Sequence, residues 1–376
     1  MSARIMTASR APVRQSSVRA HNLALVLQTV ANSADRPSRA GIAAETGLTR
    51  ATVSALVDDL IAGGLLTEHD PAPRTGAGRP AAGLALSPSG PAGLGLEINI
   101  DYLAATVIDL TGDVRHRFLA QRDQRPLSPA SSLAEIGALA LQALEAATAD
   151  GLAVAGAALA VPGLVAPNGI VRVAPNLDWQ DVDAPALLHA LPGLGDLPIA
   201  VDNEANLAAL GELRAGGEDT FLYVSGEIGI GAGIVLDGEL YRGNRGWSGE
   251  IGHVTVYPDG RPCRCGANGC LEQYAGQEAF STDLDLAASA LGIALSAVVN
   301  LLDISVIVLG GAYAPEFPRL RAGIEAELAR RVLTAGLAPV TLRAATLGAD
   351  AAVRGAAGAV IQQLIDDPAA FLNGTA

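Results

Sequence analysis

Apolar residues recur with a helical period through the first sixty positions. From Val18 onward, Leu23, Val26, Leu27 and Val30 follow the i, i+3, i+4, i+7 spacing of a helix with one buried face. Ser38 can cap a short second helix that carries Ile42 and Ala43 and stops at Gly47. Thr49 caps a third, with Val53, Leu56, Val57, Leu60 and Ile61 on one stripe and Gly63-Gly64 at its end. Arg50, Thr52 and Ser54 lie off that stripe near the helix start. A short helix, a tight turn through Gly47-Leu48 and a helix with Arg and small polar residues at its exposed start predict a helix-turn-helix. The second helix of that motif reads a DNA major groove.

Two short strands are predicted next, Leu65-Leu66-Thr67 and Leu84-Ala85-Leu86, as the wing of a winged helix. The tip between them runs Arg74-Thr75-Gly76-Ala77-Gly78-Arg79-Pro80. Arg74 and Arg79 in this Gly-rich tip suit a narrow minor groove, where negative potential concentrates. For the tip the alternative is a solvated loop, and for the whole ninety-residue stretch it is a helical protein-interaction domain.

Past a Ser87-Pro88-Ser89-Gly90 linker the pattern changes. Leu94 to Ile100 and Ala104 to Leu110 read as strands, followed by a Thr111-Gly112-Asp113 turn. Phe221 to Val224, a Gly-rich loop from Gly226, Gly233 to Leu236 and Asp237-Gly238 repeat that order. Two such hairpins predict two related α/β lobes with a ligand cleft between them. The Gly-rich loop is no dinucleotide fingerprint, because a strand and not a helix follows it. The expected organisation is a flexible arm at 1–17, a winged helix-turn-helix at 18–87 and a two-lobed body at 91–376, its lobes dividing near 205–220.

Half of the 376 residues are hydrophobic and 17% are charged, enough for a large core. The net charge of −14 is uneven: residues 1–80 hold nine Arg against six Asp and Glu, so +3 there and −17 elsewhere. A basic end on an acidic body is the footprint of a nucleic-acid-binding module joined to something else. The chain has no Lys, which excludes a Lys-dependent GxxxxGK[ST] phosphate loop. The first seventeen residues lack the apolar run of a signal peptide. The 17 uncharged residues between Asp285 and Asp303 include Ser289, Gly292, Ser296 and Asn300, which predicts a buried helix running into a strand. A cytoplasmic protein without membrane contact is expected.

The densest chemistry is Gly249-Glu250-Ile251-Gly252-His253, then Cys263-Arg264-Cys265-Gly266-Ala267-Asn268-Gly269-Cys270-Leu271-Glu272. The three Cys are the only ones in the protein, and with His253 they make a complete tetrahedral zinc set. A site ligated wholly by protein is structural. Gly266 and Gly269 let the backbone fold back at positive φ so that Cys263, Cys265 and Cys270 can face one ion. Buried thiols acting as small hydrophobes are the bland alternative, and a disulfide the weaker competitor. The odd count and the CxC spacing favour metal.

This GEIGH and CxCGxxGCxE sequence resembles the ROK family, which contains sugar kinases and sugar-responsive transcriptional repressors. The resemblance implies an actin-like, hexokinase-like α/β body from residue 91 to the end, and the winged head resembles those of ROK repressors. It implies that Glu250, His253 and Glu272 touch a sugar while His253 also binds zinc. Val161-Pro162-Gly163 and Ala174 to Trp179 resemble stretches bordering the sugar pocket, which brings in Asn176 and Trp179. Family kinases carry Asn-Asp-Ala-Asn where this chain has Asn203-Glu204-Ala205-Asn206. Glu204 keeps the carboxylate of the catalytic base but adds a methylene, and a displacement of about 1 Å can cost roughly 100-fold in rate. Asn203 and Glu204 could still bind sugar hydroxyls.

The first kinase hairpin carries an Asp and paired glycines, whereas Glu97 to Tyr102 contains no glycine. Gly310-Gly311-Ala312 does resemble the adenosine-side motif. The expectation is therefore a sugar-responsive repressor and not an enzyme, binding a palindromic double-stranded operator as a homodimer or homotetramer. An ATP-dependent sugar kinase is the alternative, and a regulator sensing a sugar phosphate or a partner protein is a third.

Overall fold

A computed structural model describes residues 15–69, 82–226 and 229–374. The chain forms two compact units, Met1–Pro91 with Gln362–Ala376, and Ala92–Ile361. In the first, α1 (Gln15–Ala31), α2 (Arg39–Thr46) and α3 (Arg50–Ala62) precede the antiparallel pair β1 (Leu66–His69) and β2 (Gly83–Leu86). Both caps arise where the side chains predict them. Ser38 Oγ accepts from Gly41 N at 3.1 Å, and Thr49 Oγ1 accepts from Thr52 N at 3.2 Å. Gly47 closes α2 at φ 73°. The order helix, helix, turn, helix, wing is that of a winged helix-turn-helix. The wing tip, with Arg74 and Arg79, lies outside the described residues.

The second unit holds two sheets of like design. Lobe one contains β3 (Pro91–Ile98), β4 (Tyr102–Ile108), β5 (Val114–Gln121), α4 (Pro129–Ala149) and β6 (Ala153–Val161). It continues with the small sheet β7 (Leu164–Val165), β8 (Ile170–Ala174) and β9 (Trp179–Asp183), then α5 (Ala184–His189), β10 (Ile199–Asn203) and α6 (Glu204–Arg214). Its main sheet runs β10-β6-β3-β4-β5. Lobe two contains β11 (Phe221–Gly226), β12 (Ile230–Leu236), β13 (Glu239–Leu240), α7 (Glu272–Ala275), α8 (Gln277–Thr282), α9 (Leu284–Leu302), β14 (Val306–Gly311), α10 (Tyr313–Arg331) and β15 (Thr341–Ala344). Its sheet runs β13-β12-β11-β14-β15. Each sheet joins antiparallel hairpin strands to parallel ones, the repeat foreshadowed by the two strand-turn-strand patterns. The Gly-rich loop is shorter than expected, because strand pairing persists to Gly226 and resumes at Ile230.

Helix α11 (Ala351–Asp366) begins in this unit, and its last residues belong with the first. Helix α12 (Pro368–Gly374) follows in the first unit, where Gln28 donates to Asp366 at 2.9 Å and Leu372 fills the space beside Gly63. The stretch 362–374 thus groups with the winged head and not with the body at 91–376. Nothing local marks it, since its partners are more than 300 residues away in sequence.

Close backbone packing underlies the body. Every residue of β3 is buried, and a Cβ on Gly95 would lie 1.9 Å from the Val353 carbonyl oxygen of α11. Only glycine permits that approach. Between the two sheets, Ala158, Ala160, Leu207, Phe221, Tyr223, Val308, Ala352 and Ala356 form a shared core. Helix α9 is apolar enough to cross a membrane by composition, but Leu291, Leu295 and Val299 are buried in the lobe-two core. It is the buried helix that the uncharged stretch predicts.

Behind that core, Glu327 of α10 is buried and accepts from Ser289 Oγ at 3.0 Å, from Arg331 Nε at 2.6 Å and from Arg330. Burial alone would raise its pKa, yet the hydrogen bonds from Arg331, Arg330 and Ser289 outweigh it and hold the carboxyl down to about 2. A depressed pKa contributes stability above the ordinary value, lost as pH falls through the folded one. We therefore expect Glu327→Gln to lower the melting temperature at pH 6, with the gap to wild type closing as pH is taken from 5 toward 2. Thermal unfolding of both proteins across that range checks it.

Candidate functional site

One cleft, of about 1010 Å³ including its open mouth, gathers the chemistry-bearing residues of both lobes. Lobe one contributes Asn99 and Ile100 after β3, Pro162 and Gly163 after β6, Asn176, and Asn203 and Glu204 at the β10–α6 junction. Lobe two contributes Gly229 to Gly231, Glu250, His253, Arg264, Cys265 and Glu272. Strand ends and helix starts converge here, as in other open α/β sheets.

The local reasons are visible in the backbone. Gly249 sits at φ 101°, and a Cβ there would fall 1.9 Å from the Ala232 carbonyl oxygen of β12. A Cβ on Gly252 would fall 2.6 Å from the Ile230 carbonyl oxygen. The GEIGH segment therefore lies directly on the β12 backbone, with Ala232 N donating to Gly249 O at 3.0 Å. Glu250 and His253 are carried into the cleft by that contact. Surrounding protein raises the Glu250 carboxyl pKa, the His253 imidazole opposes this, and the Glu272 carboxylate adds to it.

Asn203 caps α6, its Oδ1 accepting from Ala205 N at 2.8 Å and Asn206 N at 3.2 Å. Its Nδ2 donates to Gly163 O at 3.0 Å and to Glu204 Oε2 at 2.8 Å. Although Asn203 lines the cleft, both its acceptor and its donors are engaged within the protein, so it acts by holding Glu204. Asn176 and Glu272 approach the same glycine: a Cβ on Gly229 would stand 2.9 Å from Glu272 Oε2 and 3.5 Å from Asn176 Nδ2.

Trp179 is a different matter. It is 2% exposed in the lobe-one core and does not line the cleft, so its indole packs the fold and faces no ligand there. Asn99 and Ile100 line the cleft at the first hairpin, where the sequence places side chains in the space that a kinase leaves to a phosphate. Arg264 is a cleft polar group that the sequence alone did not bring forward, although it stands between two metal-candidate cysteines.

His253, Cys263, Cys265 and Cys270 place their donor atoms within 4.8 Å of one another and could hold a metal ion. Cys265 Sγ lies 3.7 Å from Cys270 Sγ, and Cys263 Sγ lies 3.8 Å from His253 Nδ1. A tetrahedral ion with sulfur at about 2.3 Å separates two sulfurs by about 3.8 Å, so the donors fit. Burial and the neighbouring Cys265 and Cys263 push the Cys270 thiol up to about 12. Gly266 and Gly269 take φ 94° and 70°, as the spacing predicts. Leu271 N donating to Val254 O and Val256 N to Gly269 O, at 2.9 and 2.8 Å, close the loop and bring Glu272 back to the cleft.

In the first unit, Arg50 is exposed at the start of α3, and Thr52 and Ser54 are partly exposed. Arg39, which the sequence reading did not single out, donates to Asp58 at 2.7 Å, Glu68 at 3.0 Å and Ser54 O at 3.1 Å, tying α2 to α3 and β1.

A two-lobed, actin-like and hexokinase-like body with a Cys3His cluster beside its cleft, joined to a winged helix-turn-helix, defines the class. The chain belongs to the ROK family, whose profile matches residues 93–285. It is 27% identical over 362 residues to the xylose repressor of Bacillus spizizenii, covering 88% of this chain and 92% of that one. It is 32% identical over 267 residues to the xylose repressor of Caldicellulosiruptor bescii, covering 69% of this chain and 64% of that protein. A crystal structure of a ROK family transcriptional regulator, a homolog of the E. coli MLC protein, superposes with TM-score 0.79 at 24% identity over 95% of this chain and all of that one. A ROK glucokinase from Streptomyces griseus, solved with glucose and AMPPNP, superposes with TM-score 0.61 at 26% identity over 72% of this chain and 99% of that one.

The two kinds of glycine separate experimentally. A Cβ on Gly266 meets nothing within 4 Å, so Gly266→Ala should cost only the left-handed backbone term of about 1–2 kcal/mol. Gly249→Ala adds a collision with backbone and should cost about 4 kcal/mol or more. Thermal or denaturant unfolding of the pair should rank them in that order.

Proposed function

We propose that this protein is a sugar-responsive transcriptional repressor with a structural zinc ion, acting on DNA in the cytoplasm. The observation that carries the reading is the cleft itself. Asn176, Glu204, Glu250, His253 and Glu272 converge as hydrogen-bonding partners for a polyol, with Asn203 behind them, in a chain that also carries a winged helix-turn-helix. Carboxylates and an imidazole fixed by a metal cluster are well-oriented partners for hydroxyl groups. The relatives named as xylose repressors make xylose the first ligand to test.

Arg50, Thr52 and Ser54 would meet the major groove, with Arg74 and Arg79 at the wing tip. Among the described head residues Arg39 pairs with Asp58 and Glu68, and Arg19 with Asp59, while Arg50 is the exposed arginine at the start of the reading helix. Two-fold pairing of heads in a dimer or tetramer predicts a palindromic operator.

Several features favour sensing over phosphoryl transfer. Asn99 and Ile100 stand in the cleft where a kinase needs glycine beside a phosphate. The Tyr313 ring fills the space beside Gly226, with Tyr223 beside Gly310, and both side chains are 1% exposed. Gly226 and Gly310 therefore have a packing role that accounts for their being glycine without a nucleotide. The glucokinase likeness keeps a kinase reading in view, and ADP release with a sugar panel tests it directly.

Fluorescence anisotropy on DNA from upstream of the gene, at fixed salt, should show tight binding that xylose or another neutral sugar releases. Specific binding that no sugar or sugar phosphate alters would overturn the sensor reading. Metal analysis should find about one zinc per chain. Cys265→Ser should lose the ion and weaken sugar binding about tenfold or more, because Cys265 and His253 are both metal donors and cleft wall. Full sugar affinity without metal would refute the shared role.

A further inference from the structure

The loop between β13 and the GEIGH segment, residues 241–248, is closed on itself. Tyr241 N donates to Ile234 O at 2.7 Å, Ser248 N to Arg242 O at 3.4 Å, and the Ser248 hydroxyl to Tyr241 O. The Arg242 backbone is thereby fixed beside Ser248, two residues before Glu250. Arg242 then reaches from lobe two to lobe one: its Nη2 donates to Asp202 Oδ2 at 2.7 Å. Asp202 is the penultimate residue of β10 and 15% exposed at its side chain, whereas Arg242 is 49% exposed. The other Asp202 oxygen accepts from Asn203 N at 2.8 Å and from Asn206 Nδ2 at 3.2 Å. Asn203 in turn holds Glu204. The same loop also approaches lobe one near Val165 and Pro167, where a Cβ on Gly246 would be 3.6 Å from the Val165 carbonyl oxygen.

One ion pair therefore joins the strand end that places Glu204 to the loop that delivers Glu250. A half-exposed pair is worth little as stability, since solvent screens it and side-chain entropy opposes it. Its value is geometric. We propose that Arg242 is a positioning residue, a latch that holds the two lobes' ligand groups at one mutual distance and so sets sugar affinity. This rests on the sugar-sensing reading of the cleft, but the latch also has a signature of its own. Trp247 lies in the same loop with its indole nitrogen shielded from solvent and Arg245 5.8 Å from its ring. The protein's other Trp, Trp179, is buried in the core, so quencher-accessible fluorescence reports Trp247.

The test uses the full-length, metal-loaded protein and compares wild type with Arg242→Gln and Arg242→Lys. Acrylamide quenching without sugar should rise in Arg242→Gln. Calorimetry with the sugar that wild type binds should show affinity about tenfold weaker in Arg242→Gln, within the range for coupled neighbours. Melting temperature and metal content should stay near wild type. Arg242→Lys, which keeps a cation opposite Asp202, should recover most of the affinity. Unchanged quenching in Arg242→Gln overturns the latch whatever sugar is used. Unchanged affinity with increased quenching overturns its role in binding. A wild type that binds no sugar or sugar phosphate, while quenching responds, overturns the sensor reading and the positioning role, leaving only the ion pair's hold on the loop.

Discussion

Backbone lying directly on backbone is the constraint from which the cleft follows. Gly249 and Gly252 press the segment bearing Glu250 and His253 against β12 carbonyls with no room for a side chain. Gly93 and Gly95 do the same for β3 against α11. These contacts are inflexible, because interiors packed at this density yield little to a misfit. Glu250 and His253 inherit that rigidity, which long side chains reaching in from mobile loops would lack.

The Cys/His cluster and the cleft are one construction. His253 offers Nδ1 toward Cys263 and still lines the cleft, and Cys265 lines it too. Glu272 follows Cys270 by two residues and begins α7, so closure of the cysteine loop fixes where that carboxylate stands. On the opposite wall Asn203 does the corresponding work, spending both ends of its amide on capping α6 and holding Glu204. Each wall thus has an element that fixes the position of a cleft carboxylate.

Local features were legible in the sequence, and distant ones were not. Helix caps at Ser38 and Thr49, the buried α9 and the Cys/His spacing rest on neighbours within a few residues, and all appear as read. Asn176 and Glu204 were reachable only through family resemblance, since no spacing rule links them to Glu250. Trp179 shows the opposite error: proximity in sequence to Asn176 suggested proximity in the cleft, but the chain turns at Asp178, φ 55°, and sends the ring into the core. Residues 362–374 were assigned to the body because they follow it. A helix declares its apolar positions in sequence but not which surface they will meet.

The polar lining of the cleft is divided between two lobes. Asn176 and Glu204 come from one, Glu250, His253 and Glu272 from the other, so any ligand that bonded to both would prefer one separation. It shifts the equilibrium only by its difference in affinity between arrangements, and each tenfold preference is worth about 1.4 kcal/mol. The cleft is tied to α11 within the same unit: the first turns of that helix pack on Gly93 and Gly95 of β3, and β3 ends at the Asn99 turn of the cleft. Contacts made backbone to backbone leave that wall little freedom, so a change in lobe separation is carried by rigid elements and not taken up by side chains.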